Sequence, residues 1–430
     1  MSMLARPRAP TRDEKSTHSA GKSKKIPFKS GEAASATRSV ALPAPRVLGG
    51  LLGIDAKYSA RTSKTDPSTG EITGQDLPHN PMLARVQRFM LQSVARKFLP
   101  QSRTNNCLRV RQGSKQIQVW KSIEFKTTAF AGLQTCGSVW ACPVCSAKIA
   151  ERRRSEIAAA MAAHKAQGGW VNLLTLTCPH QRTDKLRELL AKQALALKYL
   201  FQDKTTRKLF AEMGVIGQIR ALEATHGRLS DYNNGWHPHY HFLLFGGVCV
   251  DLKADDSLRR EWAVRLYLRW SVCCIRAGLG NPSFEHGLKL DDGQKAGAYV
   301  AKWGLEDEMT KGHTKKARHG ETPFDLLRAY LVDAKDKVAA ALFIEFAETF
   351  KGKRQLHWSA GLKKRYAIGE ATDDELAAQK DDYARLLGTI TLEQWRDVLR
   401  VEGRAIVLQL AVQGWEPVTV YLDSIRAPDK

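Results

Sequence analysis

The sequence lacks any run of the roughly 18 apolar residues that a membrane-spanning helix needs. Its first residues, MSMLARPRAPTRDEKS, are polar and basic and do not contain the apolar core of a secretory signal peptide. We therefore expect a cytoplasmic protein that does not contact a membrane. In that compartment the eight cysteines are not expected to form a disulfide framework.

Acidic residues are also scarce. The chain has 44 aspartates and glutamates against 67 lysines and arginines, which gives a net charge of +23. Residues 1–80 carry 13 basic and 7 acidic side chains, and residues 81–170 carry 15 and 3. A charge run is usually a solvated surface. Here the asymmetry, with Trp120 and Trp140 among the arginines, favours a nucleic acid partner, although charge alone does not separate DNA from RNA.

Composition divides the chain into four regions. Residues 1–80, rich in Ser, Thr, Ala, Pro and Gly, are predicted to be a disordered basic tail. Residues 81–169 are predicted to be a basic, cysteine-rich region that binds DNA. Residues 170–308 are expected to form the domain that carries the chemistry, and residues 309–430 a helical C-terminal region.

Strand and helix patterns alternate along the third of these regions. The expected strands are 170–177, 215–225, 237–245 and one near 284–290. The expected helices are 183–213, 255–277 and 293–308 there, and 81–99, 146–167, 322–351 and 373–401 elsewhere. This pattern predicts an α+β fold, in which a central antiparallel sheet has helices packed on it.

The segment HPHYHFLLF carries three alternating histidines. In a strand, His237, His239 and His241 lie on one face and apolar side chains on the other. Two imidazoles at positions i and i+2 can reach one divalent metal ion. Half-buried histidines satisfied by hydrogen bonds are the ordinary alternative, but burying three imidazoles without a function is costly. We therefore predict that this strand binds a metal.

A metal site needs further ligands. Glu223 lies in the preceding strand, and in a hairpin about the 226–236 loop it faces His239 or His241, in a register that the sequence does not define. A mixed histidine and carboxylate set suits Mg²⁺ or Mn²⁺. The alternative for Glu223 is a salt-bridged strand residue. His180, just after the first strand, is a weaker candidate ligand.

Four cysteines form a second candidate site. Cys136, Cys142 and Cys145 offer three thiols, and CPVC has the shape of a zinc knuckle. Cys107 is the expected fourth ligand of a structural zinc ion. The alternative is a group of buried free thiols, which is how we interpret Cys178, Cys249, Cys273 and Cys274.

Tyr299 and Lys302 are three residues apart in AYVAKW and share a helical face. A tyrosine hydroxyl is a weak nucleophile at neutral pH. A metal on the scissile phosphate and a nearby ammonium group make its attack feasible. Taken alone, Tyr299 would be a packing residue, so its assignment depends on the histidine strand.

Three ordered motifs resemble those of the rolling-circle replication initiators (Rep proteins) of plasmids, in the HUH endonuclease superfamily. LTLT at 174–177 is similar to the first motif, GWHPHYHFLL at 235–244 matches the second, and AYVAKW at 298–303 is similar to the third. The resemblance covers about residues 105–365, including KGKRQLHWS at 351–359. In conjugative relaxases of the superfamily the tyrosine usually precedes the histidines, whereas here it follows them.

The resemblance implies that His239 and His241 bind the metal and that Tyr299 becomes linked to DNA. It implies a site-specific endonuclease that nicks one strand of single-stranded or hairpin origin DNA, forms a 5′-phosphotyrosine and starts rolling-circle replication. A host helicase and polymerase are the implied partners. Several such initiators have a glutamate four residues before the tyrosine for the terminating cleavage. Here that position is Lys295. Either Asp291, Asp292, Glu306 or Asp307 substitutes for the glutamate, or a second cleavage proceeds differently.

Two other functions fit part of the pattern. A transposase of the same superfamily would use the same chemistry on transposon ends. A non-catalytic, zinc-dependent DNA-binding regulator would account for the cysteines and the charge, but it leaves the histidine strand and Tyr299 unexplained.

Overall fold

The computed structural model describes residues 81–123, 127–230, 233–247, 256–292, 320–378 and 384–427. The predicted tail 1–80 and the predicted helix 293–308 lie outside these residues. In the part that is described, no helix is long and apolar enough to cross a membrane.

A five-stranded antiparallel sheet lies at the centre of the fold, in the strand order β6–β3–β5–β4–β7. Its strands are β3 (Trp170–Thr177), β4 (Val215–His226), β5 (Trp236–Gly246), β6 (Leu288–Asp292) and β7 (Leu356–Trp358). The first three match the predicted strands within one residue at each end. The predicted α+β class, with an antiparallel sheet and packed helices, is confirmed.

Helices cover both faces of this sheet because the strands carry large apolar side chains on both. Phe242 and Leu244 pack on one face, with the main core. The helices of that layer are α3 (Leu186–Gln202), α4 (Lys204–Glu212), α5 (Asp256–Arg276), α7 (Pro323–Val332) and α8 (Lys337–Phe350). On the other face, Leu243 and Phe245 pack with Ile157 of α2 (Pro143–Ala166). The histidines of β5 therefore share their face with α2.

The prediction of one continuous helix over 183–213 is wrong. The segment forms two helices, α3 and α4. α3 begins after Lys185 and ends at Asp203, whose backbone is extended. The Asp203 carboxylate then caps α4 by accepting a hydrogen bond from the Thr206 amide, 2.8 Å away. The apolar stripe persists through the break, so periodicity alone did not reveal it. The predicted strand near 284–290 likewise begins later, after the short helix α6 (Phe284–Gly287).

A second, three-stranded sheet has the order β2–β1–β8. Its strands are β1 (Ile117–Ser122), β2 (Thr128–Ala131) and β8 (Ala384–Ile390). The prediction of one helix over 373–401 is therefore wrong, since β8 separates α10 (Asp373–Ala378) from α11 (Leu392–Arg400). The partner of β8 lies more than 260 residues earlier in the chain, and such pairing leaves no local signal. The helix predicted over 322–351 is also two helices, α7 and α8, with Asp336 capping the second.

The C-terminal region is otherwise helical, as predicted. Besides α11 it contains α9 (Leu362–Arg365), α12 (Arg404–Leu410) and α13 (Glu416–Ser424). Its core includes Val398, Val407 and Val418, which cluster with Phe89 of α1 (Pro81–Phe98). β7 and β8 join sheets built mainly from earlier regions, so contacts run across the predicted boundaries at 169/170 and 308/309.

Candidate metal centres

The histidine strand and Glu223 meet on one face of the central sheet. β4 and β5 pair so that Glu223 lies directly opposite His239. The Glu223 Oε2 atom is 3.0 Å from His239 Nε2 and 3.5 Å from His241 Nε2. One ligand atom from each residue lies within 4.8 Å of the others. The register that the sequence left open thus brings together the three predicted ligands.

Hydrogen bonds orient both imidazoles. His239 Nδ1 donates to the His237 carbonyl oxygen at 3.3 Å, which turns Nε2 toward Glu223. His241 Nδ1 is 3.0 Å from Thr175 Oγ1 on β3. Metal-binding histidines characteristically use their second nitrogen in this way. The arrangement therefore presents the Nε2 atoms of His239 and His241 on the side where the carboxylate lies.

The site is largely enclosed and carries a charged carboxylate. The side chain of His241 is 2% exposed and that of Glu223 is 28% exposed. Burial alone would raise the pKa of Glu223, but the adjacent imidazoles of His239 and His241 hold it well below its ordinary value. Two imidazole nitrogens and one carboxylate oxygen could together hold a divalent metal ion.

His237 and His180 do not join this group of three. Their rings stack on each other, with centroids 4.7 Å apart and planes at 15°. Burial, followed by the charges of nearby histidines, lowers the pKa of His237 to about 3, so the ring is neutral at physiological pH. The pair extends the histidine face toward the end of β3.

The four predicted cysteines also come together. Their sulfur atoms lie within 4.8 Å of one another, and all four side chains are buried. Cys145 Sγ is 3.3 Å from that of Cys107 and 3.6 Å from that of Cys136, and the Cys142 and Cys107 sulfurs are 3.8 Å apart. A zinc ion with four Zn–S bonds of 2.3 Å requires S–S separations of about 3.8 Å. The cluster could therefore hold a metal such as zinc.

Different elements supply these thiols. Cys107 follows a short 3₁₀ turn (Arg103–Asn106), and Cys142 and Cys145 begin α2. Hydrogen bonds from the neighbouring thiols lower the pKa of Cys142 against the burial that would raise it. A thiolate is the form that binds zinc.

A family comparison matches the central segment of the chain. Residues 129–247 match the family described as replication protein. This segment is therefore similar to replication protein domains. It contains Cys136, Cys142 and Cys145 of the cysteine cluster and all of Glu223, His239 and His241.

Two curated relatives extend the similarity. The chain is 25% identical to "Protein rep" of Streptomyces lividans in an alignment 347 residues long, which covers 64% of this chain and 74% of that protein. It is 34% identical to "Neomycin resistance protein" of Streptomyces cyanogenus in an alignment 152 residues long, which covers 30% of this chain and 34% of that protein. No solved structure gives a significant match.

Tyr299, the predicted nucleophile, follows the matched segment in sequence. Tyr299 and Lys302 lie outside the described residues, as does Lys295. Cys249, interpreted as a core residue, also lies outside them, whereas Cys178, Cys273 and Cys274 are buried as expected. Of the four carboxylates considered for the terminating cleavage, Asp291 is described with its side chain, and it pairs with Lys289 at 3.1 Å.

Sequence reasoning missed the residues that support each centre. Thr175 lies in the predicted strand 170–177, but its contact with His241 depends on the pairing of β3 and β5. Arg153 and Arg154 of α2 line a shallow pocket with Glu223 and Gln355. The run of arginines in the sequence indicates a basic surface, but it does not indicate that these residues lie beside the Glu223 carboxylate.

Replacing Thr175 by valine tests the support of His241. We expect Thr175→Val to weaken Mn²⁺ binding by about 10- to 100-fold, because the imidazole loses the partner that orients it. Thr175→Ser keeps the hydroxyl and should bind nearly as the unchanged protein does. Calorimetric titration with Mn²⁺ measures both variants, and equal affinities for valine and serine would show that Thr175 does not orient the ligand.

Proposed function

We propose that this chain initiates replication by nicking one strand of DNA at a plasmid origin, with Tyr299 as the nucleophile beside a divalent metal ion. The cluster of Glu223, His239 and His241 carries this proposal. The replication protein family of residues 129–247 supports a role in initiation. The assignment of Tyr299 as the nucleophile rests on the order of two motifs in the sequence, in which AYVAKW follows the histidine strand.

In the proposed reaction, His239, His241 and Glu223 would hold Mg²⁺ or Mn²⁺, which would polarise the scissile phosphate. The Tyr299 oxygen forms a bond to phosphorus as the bond from phosphorus to the 3′ oxygen breaks. The phenol proton leaves, and the departing 3′ oxygen takes up a proton. Lys302 stabilises the phosphate charge or orients the tyrosine. The products are a 5′-phosphotyrosine and a free 3′-hydroxyl group.

The free 3′-hydroxyl group is a primer for a host polymerase, and a host helicase would separate the strands ahead of it. Two features support a DNA substrate in this site. Arg154 lines the pocket that Glu223 enters, and its half-exposed side chain can exchange the surface pair with Glu151 for a backbone phosphate. Residues 81–170 carry 15 basic and 3 acidic side chains, which suits retention of origin DNA, and zinc in the cysteine cluster would fix this region.

Metal-dependent nicking of a supercoiled plasmid that carries the gene's own flanking DNA tests the proposal. We expect relaxation with Mn²⁺ or Mg²⁺ but not with EDTA, and His239→Ala or His241→Ala should reduce the rate by about 10²- to 10³-fold, since metal polarisation contributes several kcal/mol. His286→Ala is the matched control, because His286 is exposed outside the cluster. Tight DNA binding without cleavage, on single-stranded origin oligonucleotides as well, would contradict nicking and favour a zinc-dependent regulator.

A further inference from the structure

A chain of buried hydrogen bonds links the C-terminal helices to the cysteine cluster. Arg404, at the start of α12, is completely buried, and so is Gln92 of α1. Arg404 Nη1 donates to Gln92 Oε1 at 2.7 Å. Gln92 Nε2 in turn donates to Cys142 Sγ at 3.1 Å. Helices more than 300 residues apart in sequence thus meet at one thiol.

The chemistry of arginine fixes the direction of this chain. A guanidinium group has hydrogen-bond donors and no acceptor. The Gln92 atom that faces Arg404 must therefore be the amide oxygen, and the NH₂ group must face Cys142. A hydrogen bond to a thiolate stabilises the charged form over the neutral thiol. Arg404 consequently determines that Gln92 presents a donor, and not an acceptor, to the sulfur.

The hydrogen-bond network around Arg404 carries an excess of positive charge unless the cysteine cluster is negatively charged. Arg404 and Arg109 share one carboxylate, that of Glu402, at 3.0 Å each. A buried guanidinium is costly unless negative charge compensates it. A zinc ion with four thiolate ligands has a net charge of −2, since four negative sulfurs surround one divalent cation. Such a centre supplies the compensating charge on the side where Gln92 lies.

We infer that Gln92, oriented by Arg404, is a positioning residue whose amide holds the Cys142 sulfur in place as a ligand of zinc, so that docking of α12 governs how firmly the metal is retained. This inference rests on the proposed occupation of the cysteine cluster by zinc. The inference gives the C-terminal region a function apart from nicking. If α12 were displaced, Arg404 would no longer orient Gln92, and zinc would be bound less firmly.

Two substitutions of Gln92 in the full-length protein distinguish its contact with Cys142 from its contact with Arg404. Gln92→Glu keeps an oxygen for Arg404 but has no amide donor for Cys142, and Gln92→Leu removes both. We expect both variants to release zinc to a chromophoric chelator about 10- to 100-fold faster than the unchanged protein, as for other supporting residues of metal sites. Arg404→Met should accelerate release in the same direction, and combined with Gln92→Leu it should add little.

Gln193→Leu is the matched control. Gln193 is also completely buried and donates to the Pro238 carbonyl oxygen at 2.9 Å, but it lies in α3 outside the cysteine cluster. Its loss should leave the rate of zinc release unchanged. If Gln92→Glu releases zinc at the unchanged rate, or if Gln193→Leu accelerates release equally, the inference is overturned.

A measurement on the unchanged chain covers the case in which the variants do not fold. Zinc is removed slowly with a chelator in the presence of iodoacetamide, and the order in which the four cysteines are alkylated is read by mass spectrometry. We expect Cys142 to be alkylated after Cys107, which is equally buried, because the Gln92 amide donates to the Cys142 sulfur and keeps it at the metal; alkylation of Cys142 before Cys107 contradicts the inference. A purified protein that neither contains nor binds zinc would instead contradict the proposed zinc ion, which distinguishes the two failures.

Discussion

Tyr299→Phe is expected to abolish the covalent protein–DNA adduct and to reduce nicking by about 10⁴-fold or more. The substitution removes one oxygen atom, and in the proposed reaction that oxygen forms the bond to phosphorus. No other group replaces a lost nucleophile efficiently, so its removal costs most of the catalysed rate. The adduct is measured on a denaturing gel after incubation with Mn²⁺ and a labelled origin oligonucleotide.

DNA and metal binding should survive this substitution. In the proposed reaction, basic residues would contact the phosphates and residues of β4 and β5 would hold the metal, so neither kind of binding should require the phenol oxygen. Equal Mn²⁺ affinity and equal DNA affinity, together with loss of the adduct, would separate the chemical step from binding.

Tyr330→Phe is the control for a generic effect of removing a tyrosine hydroxyl. Tyr330 lies in α7, where its ring packs edge-on against Phe98, with centroids 4.7 Å apart. This variant should nick at the normal rate. If Tyr299→Phe also formed the adduct normally, the assignment of Tyr299 would be wrong and another nucleophile would have to be sought.

Cys145→Ser is expected to have the second large effect, on folding. Cys145 is in contact with the sulfurs of both Cys107 and Cys136, so its loss removes one of the four sulfur ligands of the proposed zinc site. Binding of structural zinc contributes on the order of 10 kcal/mol to small domains. We expect the variant to contain less than one zinc ion per chain and to unfold at least about 10 °C lower than the unchanged protein.

Elemental analysis and thermal unfolding with and without EDTA measure this effect. Cys178→Ala is the matched control, since Cys178 is buried but lies outside the cluster. It should keep its zinc and show the same response to EDTA as the unchanged chain. A Cys145→Ser protein whose unfolding temperature matches that of Cys178→Ala would show that the cluster is a group of free thiols.

Local patterns predicted the parts of the fold that depend on neighbouring residues. The strands β3, β4 and β5 were readable because each is a short apolar or alternating segment with clear ends. The alternation of His237, His239 and His241 placed two ligands on one face without further information. The CPVC segment and its flanking cysteines likewise predicted the members of the second cluster, although not their arrangement.

Other elements could not be read because they depend on partners far away in the chain. The helix ends at Asp203 because this residue caps α4, although the apolar stripe continues across the break and by itself predicts one helix. The sequence predicts a helix where β8 lies. ARLLGTI forms a strand only because it pairs with β1. Propensity is a weak guide wherever such tertiary pairing decides the conformation.

The sequence by itself therefore determined the residue types of both centres and the strand that carries the two histidines. Only the tertiary structure decided that Glu223 lies opposite His239, that Thr175 holds His241, and that Arg404 reaches Cys142 through Gln92. The physical reason is the same in each case. Alternation along a strand is fixed by the backbone, whereas strand register and helix docking are set by packing between segments that are distant in the chain.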